Sequence, residues 1–507
     1  MAKRVNAAPI LQFDLGRYDG PVYQRLYLAL REAVLEGRLP PGSRLPSSRA
    51  LAEELACSRN TVVTAFDQLH AEGYLDRQVG AGSFVSKILP EELLVARPQP
   101  SNNARKAVAP RSLSPRGAVL AASRPLAAVA QARHRAFLPG LADPEHFPFD
   151  LWSKLLTRTW RRPPQSLFMH GHPAGLPALR EALAAHLIRA RNLDCTAEQI
   201  IITTGAQQAL ALAAQLLLSP GDEVWIEDPG YPGLRGPLTA AAAVGRPVAV
   251  DAEGLSVAAG RLRAPKARMA VVSPSHHYPL SVVMSLSRRL ELLDWARQHT
   301  AWIIEDDYDS EYRYAGRPLA ALQSLDSPQR GGAGRVLYIG SFSKTLFPSL
   351  RLGYLVVPAD LAERFVAARH ALDDHSSAIT QPALAAFIGE GHFATHLRRM
   401  RKLYGERQAA LLRIAGERLA DLLEIKPDEA GLHLVAGLGA ALTGRMNDQQ
   451  AVAAAARAGI SVDALSRYYL EAPARQGLLM GYAAVPEETM AGACDRLAKS
   501  LRESLRS

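Results

Sequence analysis

Apolar positions recur at helical spacing three times within the first 72 residues of the chain. The pattern predicts helices over Val22–Leu35, Arg49–Leu55 and Arg59–Glu72. A Pro/Gly turn precedes the second helix, and only the short turn ACS separates it from the third. Either Ser47 or Ser48 is placed to cap the second helix at its amino end. Two short helices joined by a tight turn are typical of a helix-turn-helix.

Polar side chains crowd the amino end of the third predicted helix. Ser58 is its predicted N-cap, and Arg59, Asn60 and Thr61 follow. Such residues donate hydrogen bonds to phosphates and base edges when a helix enters the major groove. The run GYLDRQVGAGSFV then predicts a β-hairpin with Gly80 and Gly82 at its tip. An ordinary small helical domain would explain the helices alone, but this order favours a winged DNA-reading domain.

Strands alternate with helices in the second half of the chain. Short apolar runs end at polar loops, as in Ile200–Leu217 (a strand followed by a helix), Ala270–Pro274, Trp302–Ile304 and Val336–Ile339. Gly340 is expected to break the last of these strands. The alternation predicts a mostly parallel α/β sheet with its functional site at the carboxyl ends of the strands.

The stretch SFSKTLFPSLRLG places one lysine among phosphate-binding residue types. Lys344 follows the last predicted strand, with Ser341 and Ser343 before it and Arg351 after it. A partly desolvated lysine has a lowered pKa and can attack a carbonyl, while serines and an arginine fork can clamp a phosphate. Pyridoxal 5'-phosphate offers both an aldehyde and a phosphate. A surface Ser/Lys loop is the competing interpretation.

The stretch WIIEDDYDSEYRY supplies a partner for a pyridine ring. Asp306 is predicted to pair with the ring nitrogen, and Tyr308 to donate to the ring hydroxyl. Three further features extend this predicted site. Ala206 and Gln207 begin a helix that can bind an anion, Tyr231 can stack on the ring, and His276 can lie beside the ring oxygen.

Composition adds limits to this picture. The net charge is +10 over 507 residues, and residues 88–135 hold 8 Lys/Arg against 2 Asp/Glu in a Pro/Ser/Ala-rich run that predicts a basic linker. The three cysteines lie far apart and predict neither a disulfide framework nor a metal site. Because the chain shows no signal peptide and no membrane-length apolar run, a cytoplasmic protein, on the nucleoid when bound to DNA, is predicted.

Residues 18–86 resemble the GntR-type winged helix-turn-helix. The resemblance implies that the chain binds double-stranded operator DNA through six residues: Arg49, Ser58, Arg59, Asn60, Thr61 and Gly80. Residues from about 142 to 507 resemble fold type I pyridoxal-phosphate aminotransferases. Together the two parts resemble the MocR/GabR family of bacterial regulators, through the motifs SRNTVVTAFDQL, EDDYDSEYRY and FSKTLFPSLRLGY.

The resemblance implies a multidomain protein with three parts. An α+β winged helix-turn-helix over 1–87 and a linker over 88–135 precede an α/β fold type I domain over 136–507, whose smaller α+β subdomain covers about 371–507. It further implies a domain-swapped homodimer.

The resemblance also assigns site residues. It implies that Lys344 forms an aldimine with pyridoxal phosphate, that Tyr231 lies at the ring, and that Arg467 grips the carboxylate of an amino-compound effector. Two positions depart from the family pattern. Gly233 stands where the GABA-responsive relative has an arginine, which leaves Arg235 as its substitute, and His170 stands where aminotransferases often have a tyrosine from the partner subunit.

Two functions remain open at this point. The first is a regulator that senses pyridoxal phosphate, an amino compound, or both. The second is a working aminotransferase with an appended DNA-binding domain. The winged helix favours the regulator.

Overall fold

Three helices and one hairpin form the amino-terminal unit of the computed structural model, which describes residues 13–78, 82–88, 112–122, 136–314, 320–328 and 331–506. Contacts divide the chain into two units, Met1–Arg111 and Ser112–Ser507. The elements of the first unit are α1 (Val22–Leu35), α2 (Ser48–Glu54), α3 (Arg59–Ala71), β1 (Leu75–Gln78) and β2 (Gly82–Val85). The apolar faces of the helices meet in one core, and the two strands pair antiparallel, so the predicted winged helix-turn-helix is confirmed.

The helix ends follow from their caps. Of the two candidate serines, Ser47 caps α2, because its Oγ accepts a hydrogen bond from the Ala50 N–H at 3.2 Å, and the helix therefore begins at Ser48. Ser58 caps α3 by accepting from the Thr61 N–H at 3.1 Å, as predicted. Of the two glycines predicted at the hairpin tip, Gly80 lies outside the described residues, and Gly82 is the first residue of β2, paired with Gln78.

An eight-stranded sheet is the frame of the second unit. Its strands are β3 (Ile200–Thr203), β4 (Glu223–Asp228), β5 (Val244–Asp251), β6 (Gly254–Leu255), β7 (Met269–Val272), β8 (Trp302–Asp307), β9 (Val336–Ser341) and β10 (Gly353–Val356). The order is β3-β10-β9-β8-β7-β4-β5-β6. The neighbouring strands β5, β4, β7, β8 and β9 run parallel to one another. By contrast, β10 is antiparallel to both of its neighbours, and β6 is antiparallel to β5. The predicted mostly parallel sheet is confirmed.

Helices cover this sheet and a smaller second sheet. The helices are α4 (Pro115–Ala122), α5 (Phe149–Arg161), α6 (Pro177–Arg191), α7 (Ala206–Leu217), α8 (Arg235–Ala240), α9 (Val257–Arg263), α10 (Leu286–His299), α11 (Leu322–Leu325), α12 (Phe342–Thr345), α13 (Ala359–Asp373), α14 (Gln381–Gly389), α15 (His392–Arg418), α16 (Asp448–Arg457) and α17 (Glu487–Ser504). The smaller sheet is antiparallel, with order β11-β12-β14-β13, and consists of β11 (Leu423–Ile425), β12 (His433–Leu438), β13 (Asp463–Ala464) and β14 (Gly477–Gly481). It forms an α+β layer with α15, α16 and α17. No helix in the described ranges combines the length and apolar content needed to cross a bilayer.

Two expectations about local structure were wrong. Gly340 does not break its strand, since β9 runs through it to Ser341. A Cβ at position 340 would lie 2.2 Å from the Tyr354 ring, so the glycine makes room for a side chain of the neighbouring strand. In the predicted linker, Pro115–Ala122 forms a helix that lies beside α8, while residues 89–111 and 123–135 lie outside the described residues.

Candidate cofactor site

The predicted ring-binding residues lie at the carboxyl ends of the parallel strands. Asp306 on β8 and Tyr231 after β4 line one cavity, which Arg235 and Glu227 also line. Parallel strands bring their carboxyl ends to one edge of the sheet, so residues distant in sequence meet there.

The alternation of β8 selects one of its three consecutive acids for the cavity. Glu305 accepts hydrogen bonds from the N–H groups of Leu322 and Gln323, both at 2.9 Å. Asp307 pairs with the buried Arg191 at 2.7 Å. Successive side chains of a strand point to opposite faces, so Asp306 faces away from both of its neighbours.

Asp306 is a buried acid whose charged form a cationic partner would stabilise. Its Oδ1 is buried and has no hydrogen-bond partner among the described residues. Burial raises the pKa of Asp306 to about 7, and the charges of Asp307 and Asp309 add to the effect. A protonated pyridine nitrogen would supply the missing donor and the missing charge. The carboxylate therefore fits the predicted ring partner.

Lys344 lies in the short helix α12, directly after β9. Its Nζ donates a hydrogen bond to the Gly140 carbonyl at 2.6 Å. Burial lowers the pKa of Lys344, and the charge of Asp309 partly opposes that effect. A lowered pKa increases the neutral amine fraction, which is the form that attacks an aldehyde.

Two of the predicted phosphate-binding groups, the amino end of α7 and Arg351, lie close together. Gly205 precedes the helix and has φ of 131°, a backbone conformation that favours glycine. The N–H groups of Ala206 and Gln207 are then the first two of the helix. A Cβ at Gly205 would lie 3.8 Å from the Arg351 guanidinium, which places that cation against the helix end. Ser341 Oγ accepts from the Ser343 N–H at 3.2 Å and keeps its own O–H as a donor.

Tyr231 is held in place by its neighbours at the cavity. Its hydroxyl accepts a hydrogen bond from Gln207 Nε2 at 3.0 Å. A Cβ at Gly233 would lie 2.4 Å from both the Tyr231 ring and Gln207 Nε2. The glycine at this position is therefore required by the packing of the tyrosine.

His276 lies behind Tyr308, with its Nδ1 3.0 Å from the tyrosine hydroxyl. Asp309 and Asp428 contact its two ring nitrogens at 3.0 and 3.1 Å. Burial alone would lower the pKa of His276, but the charges and hydrogen bonds of the two carboxylates raise it to about 10. The side chain is thus an imidazolium that positions Tyr308, and its predicted contact with the ring oxygen stays a prediction.

The two candidate effector arginines occupy different surroundings. Arg235 begins α8 and lines the cavity beside Tyr231. Arg467 is exposed, its Nη1 lies 3.9 Å from Asp463, and the next residue, Tyr468, lines the cavity. The structure brings Arg235 to the cavity itself and Arg467 to its margin.

The predicted DNA contacts at and near the amino end of α3 fall into two groups. Arg59 and Asn60 are exposed, as is Arg49 on α2. Ser58 and Thr61 hydrogen-bond to each other at 2.8 Å through their hydroxyls, in addition to the cap. These two residues therefore also have a structural role, while Arg59 donates through Nε to Ser48 Oγ at 3.5 Å.

Three contributors to the site escaped sequence reasoning. Glu227 lines the cavity, and burial raises its pKa to about 8. Asp428 and the Gly140 carbonyl come from parts of the chain that no motif marks. Of the three, only Glu227 could have been found from the sequence, because it lies near the end of a predicted strand in the run VWIEDPG.

Two protein families match the chain. Residues 22–85 match "Bacterial regulatory proteins, gntR family" and residues 148–497 match "Aminotransferase class I and II". The probable rhizopine catabolism regulatory protein MocR of Rhizobium meliloti is 42% identical over 93% of this chain and 92% of its own length. The pyridoxine biosynthesis transcriptional regulator PdxR of Corynebacterium glutamicum is 32% identical over 91% and 92% of the two chains.

A solved aminotransferase shares the fold of the second unit. The kynurenine aminotransferase of Pyrococcus horikoshii superposes with a TM-score of 0.66 at 23% identity, covering 80% of this chain and 98% of its own. At that identity the likeness shows the fold, which is the predicted fold type I.

Proposed function

Because the chain belongs to the MocR-type family of transcriptional regulators, in which a GntR-type domain precedes an aminotransferase-like domain, we propose that ligand binding at Lys344 controls its binding to DNA. The chain is a DNA-binding regulator, and pyridoxal 5'-phosphate is its cofactor. One observation carries the proposal. The same chain that presents Arg59 and Asn60 on an exposed helix also holds the buried Asp306, whose Oδ1 has no hydrogen-bond partner in the part of the chain that the structure describes.

The residues that would hold the cofactor divide by its parts. Lys344 would bind the aldehyde carbon, Asp306 the ring nitrogen and Tyr308 the ring hydroxyl. Tyr231 would cover the ring, while Arg351, with Ser341, Ser343 and the amino end of α7, would bind the phosphate. When bound, the cofactor supplies an aldehyde that condenses with amines and a ring that accepts electrons.

We infer that the effector is an amino compound with a carboxylate. A planar guanidinium matches a carboxylate, and Arg467 and Arg235 are the two candidates at the cavity. Regulation requires that this compound bind two states of the protein with different affinity. Tight binding alone would change nothing at the operator.

We further propose a domain-swapped homodimer with the domain limits 1–87, 88–135 and 136–507. Outside the helix Pro115–Ala122, this linker reaches at most about 3.3–3.6 Å per residue, a length that allows it to cross to a partner subunit. Two DNA-binding domains would then engage two half-sites, and the second would bind at a high effective concentration.

A spectral titration with amino acids tests the regulatory function. We expect one compound to shift the visible band of the cofactor-loaded protein and, at the same concentration, to change its operator affinity. In Arg467→Ala the concentration required should rise roughly 10- to 100-fold, because a charge-assisted hydrogen bond contributes about 1.5–3 kcal/mol. The initial cofactor band should not change.

Arg445→Ala is the matched control, since Arg445 is an exposed arginine of the same subdomain. An unchanged response in Arg467→Ala would contradict the role of Arg467. If the band instead bleached while a keto acid accumulated over many turnovers, the aminotransferase alternative would gain.

The DNA-reading surface is tested by Arg59→Ala. We expect operator affinity to fall by about 1–3 kcal/mol, or roughly 5- to 150-fold, since an exposed arginine at this helix end contacts a base edge or a phosphate. Arg38→Ala, an exposed arginine of the same unit paired with Glu36, should bind as the unchanged protein does. Equal affinities for both variants in a fluorescence-anisotropy titration would mean that the recognition surface lies elsewhere.

A further inference from the structure

Three imidazoles and one carboxylate converge just after α13. Asp374 Oδ2 lies 2.8 Å from His170 Nδ1, and Asp374 Oδ1 lies 2.9 Å from His370 Nδ1. His375 Nε2 lies 3.8 Å from Asp374 Oδ2. One ligand atom from each of His170, Asp374 and His375 falls within 4.8 Å of the others. His170 comes from a distant part of the chain, whereas His370, Asp374 and His375 lie within six residues of one another, and the group contains no cysteine.

The tautomer of His375 is that of a metal ligand. Its Nδ1 lies 2.9 Å from the Ser376 carbonyl oxygen. A carbonyl can only accept, so Nδ1 carries a proton, and in the neutral tautomer that this contact selects Nε2 has the lone pair. Metal-binding histidines almost always donate their second N–H to a carbonyl or carboxylate in this way.

The backbone holds Asp374 in an uncommon conformation. Its φ is 62° and its ψ is −91°, which only a well-anchored non-glycine residue retains. Hydrogen bonds from residues before and after Asp374 anchor the segment. The buried Arg369 donates to the Ile202 carbonyl at 2.9 Å, and Ser376 Oγ donates to the same carbonyl at 3.2 Å. The carboxylate is thus presented to the imidazoles by a fixed segment.

From this geometry we propose that His170, Asp374 and His375 bind a divalent transition-metal ion of the zinc class, with His370 orienting the carboxylate. Imidazole nitrogen and carboxylate oxygen are ligands that zinc and cobalt share. A tetrahedral ion with bonds of roughly 2.0–2.2 Å needs ligand atoms about 3.3–3.6 Å apart, so small rotamer changes bring the three into place. In the single chain His170 and His370 are exposed.

The proposed ion adjoins the loop that precedes α7. Gln208 Nε2 donates to Asp373, the residue before Asp374, and Gln208 Oε1 accepts from the Thr204 N–H at 2.7 Å. A bound ion would therefore restrain the segment around Asp373 and Asp374, which contacts this loop through Gln208. The inference does not depend on the proposed regulatory function.

Cobalt titration of the metal-free, untagged full-length protein tests the site. We expect Co²⁺ to bind saturably, one ion per chain, with visible d–d absorption that Zn²⁺ abolishes by competition. His170→Gln should weaken binding at least 10-fold, because it removes a direct ligand. Since the His170 side chain is 92% exposed, that substitution spares the fold.

Two further variants complete the test. His370→Gln should weaken binding less than His170→Gln does. His392→Gln, which removes another histidine paired with a surface acid, should have no effect. The proposal is overturned if the unchanged protein shows no saturable absorption, if His170→Gln binds equally well, or if a thiolate charge-transfer band shows that a cysteine holds the ion. The first of these outcomes would mean a hydrogen-bonded cluster without a metal.

Discussion

Lys344→Ala is expected to abolish the covalent capture of pyridoxal phosphate. After borohydride reduction and proteolysis, the unchanged protein should carry the cofactor on the peptide that contains Lys344, and the variant on none. This selectivity follows from the different surroundings of the lysines. Burial lowers the pKa of Lys344 and so increases its neutral, nucleophilic fraction, whereas the other six described lysines are exposed to solvent.

Noncovalent binding should survive in this variant. Arg351 and the amino end of α7 are untouched, so the phosphate keeps its partners and the cofactor should remain exchangeable by dialysis. Lys402→Ala, at an exposed lysine, should retain full labelling. A reduced cofactor on a different lysine of Lys344→Ala would falsify the assignment of the site.

Asp306→Asn should weaken cofactor binding about 100-fold or more. Removing one partner of a buried charge pair typically destabilises by about 3–5 kcal/mol, because the other charge stays buried without compensation. Titration of cofactor-free protein, followed by the visible band, measures the loss. Asp294→Asn, at an exposed acid that pairs with Arg297, is the control and should bind the cofactor normally.

The same substitution should stabilise the cofactor-free protein at alkaline pH. The folded pKa of Asp306 is about 7 against 3.8 for the unperturbed group, so the folded state binds the extra proton between these values. Stability from this group is therefore full at low pH and declines as the pH rises through 7. At pH 8 the asparagine variant should exceed the unchanged protein by about 2–4 kcal/mol in unfolding free energy, and at pH 4.5 by much less.

Urea unfolding of both cofactor-free proteins at pH 4.5 and pH 8 measures the difference. If the two proteins showed the same pH dependence, Asp306 would not be the buried, unpaired acid described above. Opposite effects on cofactor binding and on cofactor-free stability would distinguish a functional acid from a structural one.

Sequence reasoning gives its most specific predictions where the candidate residues lie within one contiguous run. Lys344 and Arg351 share a single stretch, and the choice of Asp306 over its two acidic neighbours agrees with the alternation of a strand. The caps of α2 and α3 were predictable for the same reason, since a cap depends on residues three positions apart.

It failed where a contact depends on the packing of distant segments. Nothing in the sequence around Asp428 indicates that it contacts His276, and Gly340 was read as a strand breaker because Tyr354 could not be foreseen beside it. The helix Pro115–Ala122 was missed for a related reason. A short segment of small residues has little periodicity of its own.

The connection between β9 and β10 has a consequence for how the site assembles during folding. These neighbouring antiparallel strands pair Ser341 with Gly353, and the loop between them contains both Lys344 and Arg351. Because the entropy lost on closing a loop grows with its length, this hairpin brings the predicted covalent anchor and the predicted phosphate-binding cation together at small entropic cost. Asp306 and Tyr231 arrive only through long crossovers, and non-local pairings of that kind form slowly. The two halves of the site therefore differ in contact order, and the lysine half is the local one.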